Sequence, residues 1–83
     1  MTIRSENAAD TLTIAETAIC ANLLALADQL SEAAKLSAEA AAASKHGKQN
    51  LAIGTVLPIE DLLAQSKSLY DAALALHRHA NRG

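Results

Sequence analysis

The stretch from Asp10 to Lys45 contains neither proline nor glycine and is rich in alanine, the residue with the highest helix propensity. Five of its larger apolar residues lie on one side of a helical wheel drawn at 100° per position. They are Leu12, Ile19, Leu23, Leu26 and Leu30. The stretch therefore predicts one long amphipathic helix over about 10–46. Gly47 follows it as the left-handed residue that closes many helices.

A second helix is predicted from Pro58 to about Ala80. Proline suits a first helical turn, and Glu60 and Asp61 behind it suit the positive end of the helix dipole. The apolar residues of this segment cover an arc of roughly 160°, more than one neighbouring helix can bury. The second helix is therefore expected to have at least two neighbours.

An antiparallel hairpin of these two helices, joined by a loop over about 47–57, is the predicted fold. In the register that this loop implies, Ile59 lies near Ser44, and the large residues of the second helix face alanines of the first. At 1.5 Å per residue the first helix would be about 50 Å long and the second about 35 Å. Leu12, Ile14 and Ile19 would then have no cover within the chain. Pairing of two hairpins into a homodimeric four-helix bundle would supply it.

The predicted loop is unusually apolar. It contains Leu51, Ile53, Val56 and Leu57, which either fold back onto the chain's own helices or contact another chain. The residues expected to form an interface are those of this loop and of the uncovered part of the first helix: Leu12, Ile14, Ile19, Leu24, Leu51, Ile53 and Val56.

Size and composition predict one domain, residues 1–83, with residues 1–9 expected to fray. Phenylalanine and tryptophan are absent and Tyr70 is the one aromatic residue, so the core is small and a monomer is expected to be marginally stable. One cysteine, Cys20, cannot form an intramolecular disulfide and is expected to act as a small buried or interfacial apolar residue. No signal sequence and no membrane span are predicted, so a cytoplasmic location is expected.

No catalytic, metal or cofactor site is predicted. His77 lies in the apolar arc of the second helix and is expected to be partly buried or at an interface. A phosphoacceptor role would need an acidic residue after it, where Arg78 stands. His77 and His79 are two positions apart, so a helix points them in different directions rather than at one metal ion.

The formal charge is −2 with a pI of about 5.8, which gives no overall attraction for nucleic acid. Two small basic groups remain: Lys45, His46 and Lys48 at the loop, and His77, Arg78 and Arg82 at the C-terminus. The prediction is a non-enzymatic helical interaction module, a small regulator or adaptor acting as a homodimer. The alternatives are a dimeric RNA-binding hairpin and, third, a histidine phosphotransfer bundle.

Overall fold

A computed structural model of the protein describes residues 13–82, and the side chains of residues 13–80. Residues 13–82 include three helices: α1 (Ile14–Lys45), α2 (Gln49–Val56) and α3 (Ile59–Arg82). Both α2 and α3 pack against α1. The fold is therefore an all-α helical hairpin, in which α2 and α3 together form the arm that returns along α1. The expected fraying of residues 1–9 lies outside the described residues.

A capping box starts α1. The backbone N–H of Glu16 donates to Thr13 Oγ1 over 3.0 Å, and the backbone N–H of Thr13 donates to Glu16 Oε1 over 2.8 Å. Each side chain thus satisfies a backbone donor that the helix itself leaves unpaired. The predicted start near Asp10 lies outside the described residues, so the described helix begins at this box.

The end of α1 matches the prediction made from Gly47. This glycine has φ 77°, in the left-handed region. Its N–H donates to the carbonyl of Ser44 and the N–H of Lys48 donates to the carbonyl of Ala43, both over 2.9 Å. This pair of bonds is a Schellman motif, which satisfies terminal carbonyls and turns the chain sharply.

The loop predicted over 47–57 is wrong, because Gln49–Val56 is the helix α2. Ser44 Oγ donates to Gln49 Oε1 over 3.2 Å, and Gln49 Nε2 donates to the carbonyl of Ser44 over 3.4 Å. These bonds hold the start of α2 against the end of α1. Ala52 is then buried against the other arm, so the apolar residues of this segment belong to a helix.

A proline separates α2 from α3 without reversing the chain. Leu57 keeps right-handed helical angles, φ −54° and ψ −41°. Pro58 has no N–H to donate to Gly54, four residues earlier, so the helix is interrupted there. It resumes when the N–H of Leu62 donates to the carbonyl of Pro58 over 3.3 Å.

Within residues 13–82 the two arms do not show the predicted inequality, although Ile14 is uncovered as expected and is 90% exposed. The helix α1 has 32 residues, while α2 and α3 have 8 and 24. Because α2 was assigned to a loop, the returning arm was expected to be too short to cover α1. Ile19, expected to be uncovered, is half-buried between the arms. Ser44 contacts Gln49, which excludes the register that placed Ile59 beside it.

One repeat organises the contact between the arms, which we call the seam. Buried and half-buried residues recur at alternating spacings of three and four, the pattern of a two-helix coiled coil. On α1 they are Ala15, Ile19, Asn22, Leu26, Gln29, Ala33, Leu36, Ala40 and Ala43. On the returning arm they are Ala52, Thr55, Ile59, Leu62, Ser66, Leu69, Ala73 and Leu76. The repeat passes through Pro58 unbroken, so the returning arm keeps one face toward α1.

The interior of this seam is small. The buried apolar residues among those described are Ala33, Ala40, Ala52 and Ala73, and no large side chain there is fully buried. Alanine lets two helix backbones approach closely but removes little apolar area from water. A single hairpin therefore gains little free energy from burial.

A polar layer lies in the middle of the seam. Gln29 and Ser66 are almost equally far along the chain from Gly47, one before it and one after it. Since the two arms run antiparallel from this turn, the two residues lie opposite each other across the seam. Ser66 Oγ and Gln29 Oε1 are buried and have no hydrogen-bond partner within the described part of the chain. A buried polar atom without a partner costs free energy, so this layer weakens the hairpin.

Removing the cap hydroxyl should destabilise the chain. Thr13→Ala leaves the Glu16 N–H without its side-chain acceptor and is expected to lower the unfolding free energy by about 1 kcal/mol. Thr17→Ala, four residues on and also exposed, is the matched control and should change it by less than about 0.5 kcal/mol. Urea denaturation followed by circular dichroism measures both. Equal effects of the two changes would contradict the capping role.

Removing the buried hydroxyl of the seam should do the opposite. Ser66→Ala is expected to raise the unfolding free energy by about 1 kcal/mol, because it removes an unpaired buried polar atom at almost constant volume. Ser68 is exposed and its Oγ donates to the carbonyl of Ala64 over 3.2 Å, so Ser68→Ala serves as the control. A loss of stability in Ser66→Ala would show that this hydroxyl has a partner in solution.

Candidate interaction surface

A hairpin of two packed helices is one layer thick and has two broad faces beside its seam. The returning arm runs in the opposite direction to α1 and is rotated to face it, and the two changes cancel in deciding which residues lie on which face. The residue directly after a seam residue therefore lies on the same face of the hairpin in both arms. We call the face that carries these residues the apolar strip. On α1 it comprises, after Glu16 of the capping box, Cys20, Leu23, Ala27, Leu30, Ala34, Ser37, Ala41 and Ser44. On the returning arm it comprises Ile53, Val56, Glu60, Leu63, Lys67, Tyr70, Leu74 and His77.

The largest side chains of the strip are accessible to solvent. They are between 36% and 59% exposed: Leu23, Leu30, Ile53, Leu63, Tyr70 and Leu74. A surface leucine alone needs no explanation, but a contiguous apolar patch is typical of an interaction site.

These side chains form one patch because they lie at matching levels. Counted along the chain from Gly47, Leu30 on one arm and Leu63 on the other are almost equally distant. Leu23 and Tyr70 are also almost equally distant from Gly47, and each lies seven residues further from the turn than Leu30 or Leu63. Each arm therefore contributes a large residue at both levels. Leu74 continues the patch toward the open end of the hairpin.

The other face, which we call the charged face, has a different character. It carries Asp28, Glu32, Lys35, Glu39 and Asp61, which are all exposed. Ile14 and Leu51 are its exposed large apolar residues, and they lie at opposite ends of the hairpin. Of the two faces, the strip therefore carries the larger apolar surface between the ends, while Leu24 and Leu57 are exposed on the sides of the arms that point away from the seam.

The serines of the strip already have hydrogen-bond partners. Ser37 Oγ donates to the carbonyl of Ala33 over 2.8 Å, and Ser44 Oγ donates to Gln49 Oε1. A polar group that keeps its partner costs less to remove from water than an unpaired one. These two hydroxyls therefore add little to the cost of covering the strip.

The lysine of the strip is also paired. Lys67 Nζ donates to Asp71 Oδ2 over 2.7 Å, four residues along the exposed surface of α3. That hydrogen bond and the negative charge of Asp71 raise the pKa of Lys67 above its usual value. The ammonium group is held toward the outer edge of α3, away from the leucines.

The structure does not bring the predicted interface residues onto one surface. Ile19 is half-buried in the seam, Ile14 is 90% exposed on the charged face, and Leu24 points away from both faces. Leu12 lies outside the described residues. The structure therefore places the expected contact residues of α1 on different sides of the helix, and their contact role stays a prediction.

The predicted residues of α2 divide between the two faces. Leu51 is exposed on the charged face, Ile53 is exposed on the strip, and Val56 is half-buried beside the seam. The alternative in which this segment contacts another chain stays open for Ile53, whose side chain extends the strip toward the turn.

The basic residues form two groups rather than one patch. Lys45, His46 and Lys48 are exposed at the turn, and His77 and Arg78 are exposed near the open end. The returning arm separates the two groups by about 45 Å at the rise of an α-helix. The side chain of Arg82 is outside the described set.

Neither His77 nor Cys20 is buried within the single chain, and the interfacial alternative stays a prediction for both. His77, expected to be partly buried or at an interface, is exposed, because it follows the seam residue Leu76 and lies beside the contact. Cys20, expected to be buried or interfacial, is also exposed, because it follows the seam residue Ile19. Both residues lie on the strip, where a second molecule would cover them.

Sequence reasoning did not select Leu23, Leu30, Leu63, Tyr70 and Leu74 as contact residues. It attributed them to the faces of the two helices that pack together. The sequence did contain a signal for the strip, because the apolar arc of the second helix is wider than one neighbouring helix can bury. The strip residues could not be distinguished from the rest of that arc without the three–four spacing of the seam.

Within residues 13–82, no group of three histidine, cysteine or acidic side chains lies close enough together to hold a metal ion. The same part of the chain contains no pocket. None of its helices combines the length and the apolar character needed to cross a bilayer.

Comparisons of the chain with protein families, with curated proteins and with solved structures give no match.

Proposed function

We propose that the protein is a non-enzymatic helical interaction module that acts as a homodimer. The observation that supports this most strongly is the contrast between the seam and the strip. Alanines occupy the buried positions of the seam, while Leu23, Leu30, Leu63 and Tyr70 lie in contact with water. A chain that leaves several large apolar residues exposed beside its own contact has a surface suited to another molecule.

The free energy available from covering the strip is large on the scale of this chain. Fully burying a leucine gains about 1.5–3 kcal/mol relative to leaving it in water. Half-exposed side chains gain about half of this, so three leucines and a tyrosine amount to roughly 3–6 kcal/mol per copy, which overlaps the lower end of the stability of a small domain, about 5–15 kcal/mol. Association would supply the large buried side chains that the single hairpin lacks.

The charges favour a protein partner over RNA. The acidic residues of the charged face repel phosphate, and the basic residues are divided between the two ends. The strip offers one aromatic ring, Tyr70, for base stacking, whereas binding of single-stranded nucleic acid uses several. No described contact favours RNA binding or phosphotransfer by His77 over the interaction module.

The test is the oligomeric state of the full chain by sedimentation equilibrium. We expect a reversible dimer whose dissociation constant changes less than about threefold between ~0.1 and ~1 M NaCl, because apolar burial is not screened by salt. Binding to RNA would instead weaken steeply over the same range. A chain that stays monomeric at ~100 μM, where a specific interface with micromolar affinity would be filled, would contradict the proposal.

A further inference from the structure

We infer that the apolar strip is the surface on which a second copy of this chain docks, face to face, with the turns of the two copies at the same end. This inference rests on the homodimer proposed above and identifies its interface. Three properties of the strip support it: its area, the sizes of its side chains and the pairing of its polar groups.

The strip is large enough for a dimer. On α1 it runs from Cys20 to Ser44. At the rise of an α-helix this is about 36 Å long, and two packed helices make it about 18–20 Å wide, so each copy offers roughly 700 Å². A standard specific interface buries about 800 Å² per partner. The charged face lacks a comparable apolar area.

Side-chain sizes favour one arrangement of the two copies. A twofold axis running along the strip places α1 of one copy over α3 of the other, with equal levels opposed. Tyr70 of one copy then lies over Leu23 and Ala27 of the other, and Leu63 lies over Leu30 and Ala34. Each of these two side chains of α3 meets one leucine and one alanine, a combination that fills space without overpacking.

The alternative twofold axis, across the helices, fits less well. It stacks α3 on α3, so that Leu63, Tyr70 and Leu74 oppose one another while the alanines of α1 oppose alanines. It also requires one copy to slide along the other before the large residues meet, which leaves the turn ends uncovered. The first arrangement overlaps the full length of both arms.

A second copy also suits the polar groups of the strip. Ser37, Ser44 and Lys67 keep their partners within the chain, so covering the strip leaves none of these three groups newly unpaired. Glu60 lies at its outer edge, where solvent still reaches it in a face-to-face pair. The charged faces of the two copies then point outward in opposite directions.

A pair of matched substitutions tests which surface the dimer uses. Leu63→Asp places a charge on the strip, and Leu24→Asp places the same charge on α1 away from it; the two leucines are 51% and 64% exposed. We expect Leu63→Asp to raise the dimer dissociation constant at least about 30-fold, the effect of losing a central contact. Leu24→Asp should change it less than about threefold. Sedimentation equilibrium measures both.

The outcomes separate this inference from the proposal on which it rests. A dimer that is weakened by Leu24→Asp and unaffected by Leu63→Asp overturns the assignment of the strip and keeps the homodimer. A monomeric wild-type chain overturns both.

A cross-linking measurement keeps the inference testable if Leu63→Asp does not fold. Leu74 and the native Cys20 lie equally far along the chain from Gly47, so they oppose each other between copies. With a short bis-maleimide, Leu74→Cys should give covalent dimers on a denaturing gel. Ala75→Cys, at the next position and on the charged face, should give at least about tenfold less, because helix neighbours point about 100° apart. Equal yields, or no covalent dimer from Leu74→Cys in a sample that sediments as a dimer, would overturn the arrangement.

Discussion

The close approach of α1 to the returning arm depends on alanine at the buried positions of the seam. Ala33, Ala40, Ala52 and Ala73 allow the two backbones to come near, but their methyl groups bury little area. Small side chains at these positions make the contact close, and because they bury little apolar area they also make it weak. A polar layer at Gln29 and Ser66 weakens it further. The character of the hairpin follows from this seam, which is a close contact that buries little apolar area.

Local signals fix the ends of the helices. The Thr13–Glu16 capping box starts α1, and the left-handed Gly47 stops it with two short backbone bonds. The contacts between Ser44 and Gln49 restart a helix shortly after the turn, and Pro58 interrupts the returning arm without turning it away from α1. These features set the register of the arms. The register in turn places Leu30 level with Leu63 and Leu23 level with Tyr70, which creates the strip.

Much of this fold could be predicted from the sequence. The helical wheel and Gly47 predicted α1 and its end, and Pro58 predicted the start of α3 almost to the residue. The segment 49–56 was missed because glycine, threonine and flanking turn signals suggested a loop, and nothing local shows that Gln49 is held by Ser44. That error shifted the register and produced the supposed overhang at Ile19. The strip was missed for a related reason: the apolar arc of the second helix cannot be divided into seam and surface until the partner arm is placed.

The central claim is that a single hairpin holds half of a core and that a second copy supplies the rest. The most direct measurement is the thermal unfolding midpoint of the wild-type chain as a function of its own concentration. Unfolding coupled to dissociation predicts a midpoint that rises steadily with concentration, because mass action favours the associated folded state. A midpoint that stays constant over a hundredfold range of concentration, with full helicity at the lowest, would contradict the claim.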